Sequence, residues 1–302
     1  MNNKILLTGA NGQVGQEIQK EAIKPKLDLV ALGKNDFDIT SLESIHKTVK
    51  EFKPSIIINA AAYTEVDLAE EQQKLCQEVN TKGPELLSQI CHDNDILLVH
   101  ISTDYVFNGS KSGPYVETDE EDPINQYGKS KYEGELAIRS TLKKHIILRT
   151  SWVFGIHGNN FLKTIISIGQ RLPVLNIVND QLGNPTSARS IAKCILKICQ
   201  RYIQHEMCPY GTYHFSNKPE TTWHDFGISI LELAYAEGLL RQIPKVKGIP
   251  LSESNEHTFK PLASTWSDPN KGGGYGWGQL SHMFGGVFKI SSLEAEKAFC
   301  FS

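Results

Sequence analysis

The sequence predicts an α/β fold, a doubly wound parallel sheet joined to a smaller lobe that is discontinuous in sequence. Two patterns predict it. Short, continuously apolar runs alternate with helix-like segments through the first half of the chain, which is typical of strands covered on both faces. A glycine-rich turn also joins the first run to the first helix-like segment, at the place where doubly wound sheets approach a ligand.

Six short runs are the predicted strands of the main sheet. Most are rich in Ile, Leu and Val, and most are separated by a segment long enough for a helix, so consecutive strands should lie parallel. The runs are KILLT (4–8), DLVAL (28–32), SIIINAA (55–61), DILLVHIST (95–103), HIILRTSWVF (145–154) and TYHFS (212–216). A helix is predicted around Ile191 to Ile203, before the last run.

Composition excludes several classes of partner. A net charge of -3 and a pI near 6.4 give no electrostatic case for nucleic acid or a membrane surface. The longest apolar runs are too short to span a bilayer, and the N-terminus lacks the features of a secretory signal, so a cytoplasmic location is predicted. The six cysteines include no C-x-x-C pair and no zinc-ligand spacing, so reduced thiols and no metal site are expected.

The first strand runs into TGANGQVGQEI, which places Gly9, Gly12 and Gly15 in a G-x-x-G-x-x-G array. Glycine there allows a tight turn, close approach of the backbone to a pyrophosphate, and close packing of helix on strand. The array lies in the first βα turn of the predicted sheet, so it indicates a dinucleotide site rather than a chance glycine turn. The small residues Ala60, Ala61 and Ala62, after the third strand, are compatible with the same cofactor or with sheet packing.

The order of these segments predicts two lobes. A dinucleotide-binding domain should comprise residues 1–153 and 187–217, and a substrate lobe should comprise residues 154–186 and 218–302. Asn, Gly and Pro become frequent in the loops after Gly155, which is where the second lobe begins to be inserted.

The end of the second strand bears on the choice of cofactor. Gly33 and Lys34 stand where an acidic residue usually binds the hydroxyls of the adenosine ribose. Lys34 could face a 2′-phosphate, which predicts NADPH as the cofactor, with NADH also accepted. Alternatively Lys34 is solvated, and Asp36 or Asp38 binds the ribose.

The segments STDY and YGKSK predict ketone chemistry. Ser102, Thr103 and Asp104 follow the fourth strand, at the edge where open α/β sheets bind ligands. Tyr127 and Lys131 are four residues apart and share a helix face, where an ammonium would lower the pKa of the phenol. Tyr127 could then protonate the alkoxide formed by hydride transfer, with Lys131 on the nicotinamide ribose and Thr103 on the substrate oxygen.

Taken together, these motifs resemble the extended short-chain dehydrogenase/reductase superfamily and, within it, the dTDP-4-dehydrorhamnose reductases. The similarity extends over roughly residues 1–230, through TGANGQVG, NAAAYTEVD, STDYVF, INQYGKSKYEGE, RTSWVFG, GNNF, NDQLGNPT, TYHFSN and TTWHDF. The resemblance implies a Rossmann-like enzyme of dTDP-rhamnose biosynthesis that reduces dTDP-4-dehydro-β-L-rhamnose to dTDP-β-L-rhamnose with NAD(P)H. A homodimer is the assembly expected for it.

The resemblance also implies roles for individual residues. Tyr127 would be the proton donor, Lys131 its partner and Thr103 the hydroxyl that polarises the carbonyl. The cofactor residues that it implies, together with those predicted above, are Gly9, Gly12, Gln13, Val14, Gly15, Lys34, Asp38, Ile39, Ala62, Tyr63, Thr64, Tyr127 and Lys131. The substrate residues are Thr103, Asp104, Tyr127 and Trp152, with Asn179, Asp180 and Gln181 as weaker candidates.

The residues alone leave two roles open for Trp152. An indole face suits a deoxysugar ring or a base, but a core tryptophan at a strand end explains the residue equally well without the resemblance.

Three alternative functions place different demands on the sequence. A related dehydratase would carry an acid directly after Asp104, where this chain has Tyr105. A nucleotide-sugar epimerase would retain Tyr127 and Lys131, but the NDQLGNPT and TTWHDF segments favour a reductase. A non-catalytic NADP-binding regulatory subunit, like the β subunit of methionine adenosyltransferase, would not need Thr103, Tyr127 and Lys131 all intact.

The resemblance fails near the C-terminus. Lys260 and Pro261 stand where the family has a basic residue followed by proline, but the sequence from Lys271 onward does not follow the family pattern. The run KGGGYGWGQ is costly to fix in one conformation, so residues 271–302 are expected to be poorly ordered or loosely packed and outside the active site.

Overall fold

The structure, a computed structural model, describes residues 3–23, 25–205 and 208–253. Its α-helices are α1 (Gln13–Ala22), α2 (Leu42–Phe52), α3 (Val66–Glu71), α4 (Gln73–Gln77), α5 (Gly83–Asp93), α6 (Gln126–Thr141), α7 (Phe161–Gly169), α8 (Ala188–His205) and α9 (Trp223–Ala236). Its strands are β1 (Ile5–Thr8), β2 (Leu29–Leu32), β3 (Ile56–Asn59), β4 (Leu97–Thr103), β5 (His145–Thr150), β6 (Val153–Phe154), β7 (Val174–Val178), β8 (Leu182–Gly183), β9 (Thr186–Ser187), β10 (Gly211–His214), β11 (Thr221–Thr222) and β12 (Lys245–Ile249).

The main sheet confirms the predicted doubly wound fold. Its six strands run parallel in the order β10, β5, β4, β3, β1, β2. Because β1 lies between β2 and β3, the winding reverses beside it, which creates the crevice where open α/β sheets bind ligands. Each of the six runs read from the sequence contains or overlaps one of these strands. The fifth run differs in one respect, since β5 ends at Thr150 and Val153 begins a separate short strand.

Helices cover both faces of this sheet because successive strand residues point to opposite sides. On one face Ile5 and Leu7 pack with Ile18 of α1 and with Ile191 and Ile195 of α8. On the other face Leu6, Ile57 and Leu98 pack with the buried sides of α2, α5 and α6. None of the helices described in residues 3–253 is both long and apolar enough to cross a bilayer.

A second core lies in the smaller lobe. Helices α7 and α9 pack with β7 around buried residues that include Leu162, Ile177 and Leu231. Short strand pairs complete the lobe: β12 runs parallel to β7, β9 runs parallel to β6, and β11 runs antiparallel to β8.

The division of the chain into two domains stays a prediction. Strand β10 pairs with β5 and α8 packs on α1, which is the placement proposed for residues 187–217. Residues 254–302, and with them the segment 271–302 expected to be loosely packed, lie outside the described residues.

A buried ion pair ties β5 to α6. Arg149 Nε lies 3.0 Å and Arg149 Nη2 2.6 Å from the carboxylate of Glu135, and both side chains are fully buried. Arg149 also pairs with Glu121, and its guanidinium lies 5.1 Å from the ring centroid of Phe107. Burial of two charges is tolerated only with such complete pairing, so this network anchors the helix that carries Tyr127 and Lys131.

Candidate active site

The start of α6 is held against the turn that follows β4. Asn125 caps the helix, its Oδ1 accepting a hydrogen bond of 2.7 Å from the Gly128 amide. Gly128 faces the backbone of Tyr105, where a Cβ would overlap the carbonyl oxygen of that residue. The glycine therefore permits the close approach that brings Tyr127 next to the end of β4.

Thr103 and Tyr127 meet at this edge of the sheet. Thr103 Oγ1 donates to Asp104 Oδ1 at 3.2 Å and accepts from the Tyr105 amide at 3.2 Å. The Tyr127 ring packs edge-on against the Tyr105 ring, with centroids 5.4 Å apart. Two of the three predicted catalytic groups are thus adjacent.

The pKa of the Tyr127 hydroxyl is raised above its ordinary value in the free protein, because the ring is desolvated by burial. Hydrogen bonding to Thr103 opposes the shift, and the Asp104 charge adds to it. The sequence predicts that an ammonium lowers this pKa. That prediction is wrong, because the Lys131 amino group is directed to Ile101 and His100 instead.

Lys131 is 2% exposed, and its Nζ donates to the Ile101 carbonyl oxygen at 2.7 Å. The same Nζ lies 3.2 Å from His100 Nε2, and within the described ranges these two groups are its hydrogen-bond partners. Burial lowers the pKa of Lys131 to about 8, although the charge of Glu135 opposes the shift. Burial also lowers the pKa of His100 well below its usual value, so this imidazole is neutral.

Asp104 is the most perturbed carboxyl group at the sheet edge. Its burial raises the pKa to about 7, and its Oδ2 has no hydrogen-bond partner among the residues that the structure describes. Three further polar atoms near the ends of β4 and β5 are buried without a partner within the described ranges: Ser102 Oγ, Thr150 Oγ1 and Trp152 Nε1. Buried polar groups are almost always paired, so this concentration indicates a surface shaped for a polar ligand.

Trp152 has a left-handed backbone, with φ of +46°, which explains why the apolar run 145–154 breaks after β5. Its ring stacks on Trp223 at the start of α9, with centroids 3.5 Å apart and planes inclined by 7°. Gly183 makes room for the indole, since a Cβ there would overlap the ring. Sequence reasoning missed Trp223 as a site residue, and its only signal was the motif TTWHDF.

The NDQLGNPT loop places its three candidate residues differently. Asp180 accepts hydrogen bonds of 3.1 Å from the Leu251 amide, and the Asn179 amide donates to the Ile249 carbonyl, so both tie the loop to the end of β12. Gln181 is buried, and its Nε2 has no partner in the part of the chain that the structure describes. Gln181 therefore resembles the unpaired groups around Asp104 and stays the strongest ligand candidate of the three.

A separate cavity of about 430 Å³ lies beside the glycine turn. Seven of the predicted cofactor residues line it: Gly9, Gly12, Lys34, Asp38, Ile39, Ala62 and Tyr63. Residues that sequence reasoning missed also line it, among them Asn11, Phe37 and Leu75. Asn11 and Phe37 could have been found only because they lie close in sequence to predicted residues. No feature of the sequence pointed to Leu75.

The remaining predicted cofactor residues lie outside this lining. Gln13 contacts the smaller lobe, and Val14 packs against the core cluster under the sheet. Gly15 lies under the Gly9 carbonyl, and Thr64 is exposed. Tyr127 and Lys131 lie at the end of β4 instead.

The cavity fits a dinucleotide. Gly9 has φ of +67° and passes so close to Ala60 that a Cβ would stand 2.6 Å from its backbone, which leaves the turn open to a pyrophosphate. Tyr63 is held by Asn80, which accepts from the Tyr63 amide at 2.9 Å and donates to its carbonyl at 3.0 Å. Asn80 belongs to a π-helical turn at Glu78–Lys82, between α4 and α5.

The structure bears on whether Lys34 faces a 2′-phosphate or an aspartate binds the adenosine ribose. Asp38 Oδ1 accepts from both the amide and the hydroxyl of Thr40, at 2.9 and 2.7 Å, so its carboxylate is already engaged. Asp36 does not line the cavity, whereas Lys34 is exposed and lines it. This arrangement favours the lysine as the group nearest an added phosphate.

A loop of the smaller lobe contacts the helix behind the glycine turn. Asn160 Nδ2 donates to Gln13 Oε1 at 2.8 Å. One turn further along α1, His157 Nε2 lies 3.6 Å from the buried carboxylate of Glu17. The cofactor side and the substrate side of the crevice are therefore in direct contact.

Comparisons with known proteins agree with this geometry. A family model described as RmlD substrate binding domain matches residues 3–270. The dTDP-4-dehydrorhamnose reductase of Aggregatibacter actinomycetemcomitans is 40% identical over 262 residues, which cover 86% of this chain and 89% of that protein. The enzyme of the same name from Salmonella typhimurium is 36% identical over 252 residues, covering 82% and 84%.

Solved structures give the same result. A dTDP-4-dehydrorhamnose reductase from Clostridium acetobutylicum superposes with a TM-score of 0.83 at 33% identity, over 98% of each chain. The reductase of Bacillus anthracis in complex with NADP gives 0.83 at 32%, again over 98% of each. A UDP-glucose 4-epimerase from Thermus thermophilus, at 19% identity and a TM-score of 0.67, shares the fold alone. The resemblance to dTDP-4-dehydrorhamnose reductases is confirmed, and the chain belongs to the RmlD substrate binding domain family.

Proposed function

We propose that the protein is a cytoplasmic reductase that converts dTDP-4-dehydro-β-L-rhamnose to dTDP-β-L-rhamnose with NADPH. The observation that carries the proposal is the meeting of Thr103 and Tyr127 at the sheet edge, with Lys131 one turn along the same helix. The relatives that share this family are named for that reaction.

The proposed chemistry divides between the cofactor and the chain. NADPH, when bound, supplies the hydride for C4 of the sugar. Thr103 Oγ1 would hydrogen-bond to the C4 oxygen, and the Tyr127 hydroxyl would donate the proton that this oxygen needs as it becomes a hydroxyl. The raised pKa of Tyr127 keeps the phenol protonated at neutral pH, so the proton is present to be donated, but the same shift makes the phenol a weaker acid.

Lys131 would act beside Tyr127 rather than through a direct bond to it in the free protein. Its amino group is fixed by the Ile101 carbonyl, and its remaining hydrogens would bind the nicotinamide ribose. Asp104 and Trp152 would face the sugar nucleotide, a role supported by the unpaired Asp104 Oδ2 and Trp152 Nε1. The preference for NADPH rests on Lys34, and the homodimer stays a prediction.

Reduction of dTDP-4-dehydrorhamnose, followed by NADPH absorbance, tests the function directly. Tyr127→Phe should lower kcat by roughly 10²-fold, the usual contribution of a general acid, while the affinity for NADPH in a binding titration stays near that of the parent. Tyr132→Phe is the matched control, because it makes the same change one helical turn away on α6 and should leave kcat unchanged.

Two results would contradict the proposal. Near-normal turnover by Tyr127→Phe would remove the tyrosine from the chemistry. NADPH binding by the parent without any reduction of the sugar nucleotide would instead favour the non-catalytic regulatory alternative.

A further inference from the structure

A chain of hydrogen bonds runs through the sheet to the Lys131 amino group. Thr8 Oγ1 donates to Asn59 Oδ1 at 2.7 Å, at the ends of β1 and β3. Asn59 Nδ2 lies 3.0 Å from His100 Nδ1, and His100 Nε2 lies 3.2 Å from Lys131 Nζ. Thr8, Asn59 and His100 are 0% exposed, so bulk water does not compete with these contacts.

The orientation of the Asn59 amide is set by fixed donors. Its Oδ1 accepts from the backbone amide of Ala61 at 3.2 Å as well as from the Thr8 hydroxyl. A backbone N–H can only donate, so an inverted Asn59 would place two donors face to face. The Nδ2 group must therefore point at His100.

This orientation decides the tautomer of His100. Asn59 Nδ2 can only donate, so His100 Nδ1 must accept and carries no proton. In a neutral imidazole the proton then lies on Nε2, the nitrogen that faces Lys131. The chain of donors therefore runs in one direction, from Asn59 through the ring to the lysine.

The Lys131 amino group has to match that donor. An ammonium group has three N–H donors and no lone pair, so one of them would oppose the His100 Nε2–H. A neutral amine offers its lone pair to His100, one hydrogen to the Ile101 carbonyl at 2.7 Å and one hydrogen to the crevice. Only the neutral amine satisfies every partner described for this site.

We propose that His100 is a positioning residue, which fixes Lys131 Nζ and, through the Nε2–H tautomer imposed by Asn59, favours the neutral amine in the cofactor-free protein. The proposal concerns a residue to which neither the motifs nor the general chemistry of the site assigns a role, and its kinetic consequence rests on the proposed reductase function. Thr8 is not needed to set the direction of the chain, because the Ala61 amide fixes Asn59 by itself.

The other charges around Lys131 do not account for a neutral amine. Glu135 follows one turn later on α6 and favours the ammonium, but its carboxylate is committed to Arg149. The Cys76 thiol of α4 also favours the ammonium as far as it ionises, and burial keeps its pKa raised. Burial of the lysine acts in the opposite direction, and the Lys131 charge in turn lowers the pKa of His100 on β4.

Nitrogen NMR of the intact cofactor-free protein tests the tautomer without any variant. With ¹⁵N-labelled histidine, His100 should show a protonated Nε2 and an unprotonated Nδ1, and labelled Lys131 should titrate near pH 8 rather than at its ordinary value. A protonated Nδ1 on His100 would overturn the proposal outright.

Asn59→Asp should reverse the direction of the hydrogen bonds from residue 59 through His100 to Lys131, with almost no change in the shape of the side chain. A carboxylate accepts at both oxygens, so His100 should move its proton to Nδ1 and present Nε2 as an acceptor to Lys131. The titration midpoint of Lys131 should rise by about one unit or more, because the acceptor on His100 and the added negative charge both favour the ammonium, and the tautomer read by NMR separates the two causes. Thr8→Val is the matched control, because it removes a buried donor from the same chain and should leave both the tautomer and the midpoint in place.

The kinetic readout separates this proposal from the proposed function. The kcat/KM profile reports groups of the free enzyme, and the proposed reaction uses the ammonium form of Lys131, so activity should fall as pH rises past about 8. This alkaline limb should move to higher pH in Asn59→Asp and stay in Thr8→Val. A Lys131 midpoint unchanged in Asn59→Asp would refute the role of His100. Correct tautomers in a protein that reduces no sugar nucleotide would instead refute the proposed function alone.

Discussion

Gly128→Ala tests whether the approach of α6 to the turn after β4 sets the catalytic geometry. A Cβ at position 128 would stand 2.9 Å from the Tyr105 carbonyl carbon and nearer still to its oxygen, against 3.4 Å where ordinary contact begins. The obstacle is backbone, so the start of α6 must withdraw by at least about 0.5 Å. Catalytic groups must be held within roughly that tolerance, and a misplacement of about 1 Å can cost ~10² in rate.

We therefore expect Gly128→Ala to lower kcat by roughly 10- to 100-fold, because Tyr127 moves with the helix away from Thr103. Overpacking should also cost about 1–3 kcal/mol in the free energy of unfolding. The assay is reduction of dTDP-4-dehydrorhamnose at saturating NADPH, with urea unfolding of the same preparations. Lys129→Ala is the matched control, since residue 129 is exposed on the same turn of α6 and should change neither quantity.

A Gly128→Ala protein with unchanged kcat would refute this reasoning, because it would show that Tyr127 tolerates the displacement. A loss of stability with full activity would show that α6 relaxes elsewhere, and the glycine would then serve packing alone.

Three further predictions follow from contacts described above. Lys34→Ala should lower the kcat/KM ratio of NADPH to NADH by about fivefold, equivalent to roughly 1 kcal/mol for an exposed charge contact, and an unchanged ratio would show that Lys34 is solvated. Arg149→Met should cost about 3–5 kcal/mol in urea unfolding because Glu135 stays buried with, among the described residues, only the 4.0 Å contact to Arg139, whereas Arg149→Met/Glu135→Leu should recover most of the loss; equal losses in both would contradict an undercompensated charge. Asp104 has a folded pKa of about 7, above its ordinary value, so it binds a proton more tightly in the folded state, and its contribution to the free energy of unfolding should fall as pH rises from about 4 to 7; the free energy of unfolding of Asp104→Asn minus that of the parent should therefore rise across this window, and a constant difference would refute it.

Much of the fold was predictable because its signals are local. A continuous apolar run such as Ile56 to Asn59 predicts a buried strand by itself, and the glycine turn predicts the first βα connection. The spacing of Tyr127 and Lys131 likewise fixed their common helix face, as α6 bears out. In each case the deciding residues lie within a few positions of one another.

The parts of the site that sequence reasoning missed depend on distant neighbours. His100 lies between Asn59 and Lys131, which are 41 and 31 residues away in the chain. Trp223 acquires its place by stacking on Trp152 and by packing against Phe161, which are distant in the chain. The direction of the Lys131 amino group could not be predicted either. A four-residue spacing places Tyr127 and Lys131 on one helix face, but it does not show that the amine binds His100 and Ile101 on β4.

The contacts of Asn160 with Gln13 and of His157 with Glu17 have a thermodynamic consequence. They place a loop of one lobe against the helix that backs the pyrophosphate turn of the other, so a ligand that moves either partner works against the same bonds. The affinities of nucleotide cofactor and sugar nucleotide should then be linked, each changing the other by the same factor. Substitutions in residues 155–160, on the sugar side of the crevice, should therefore change the affinity of the protein for the dinucleotide.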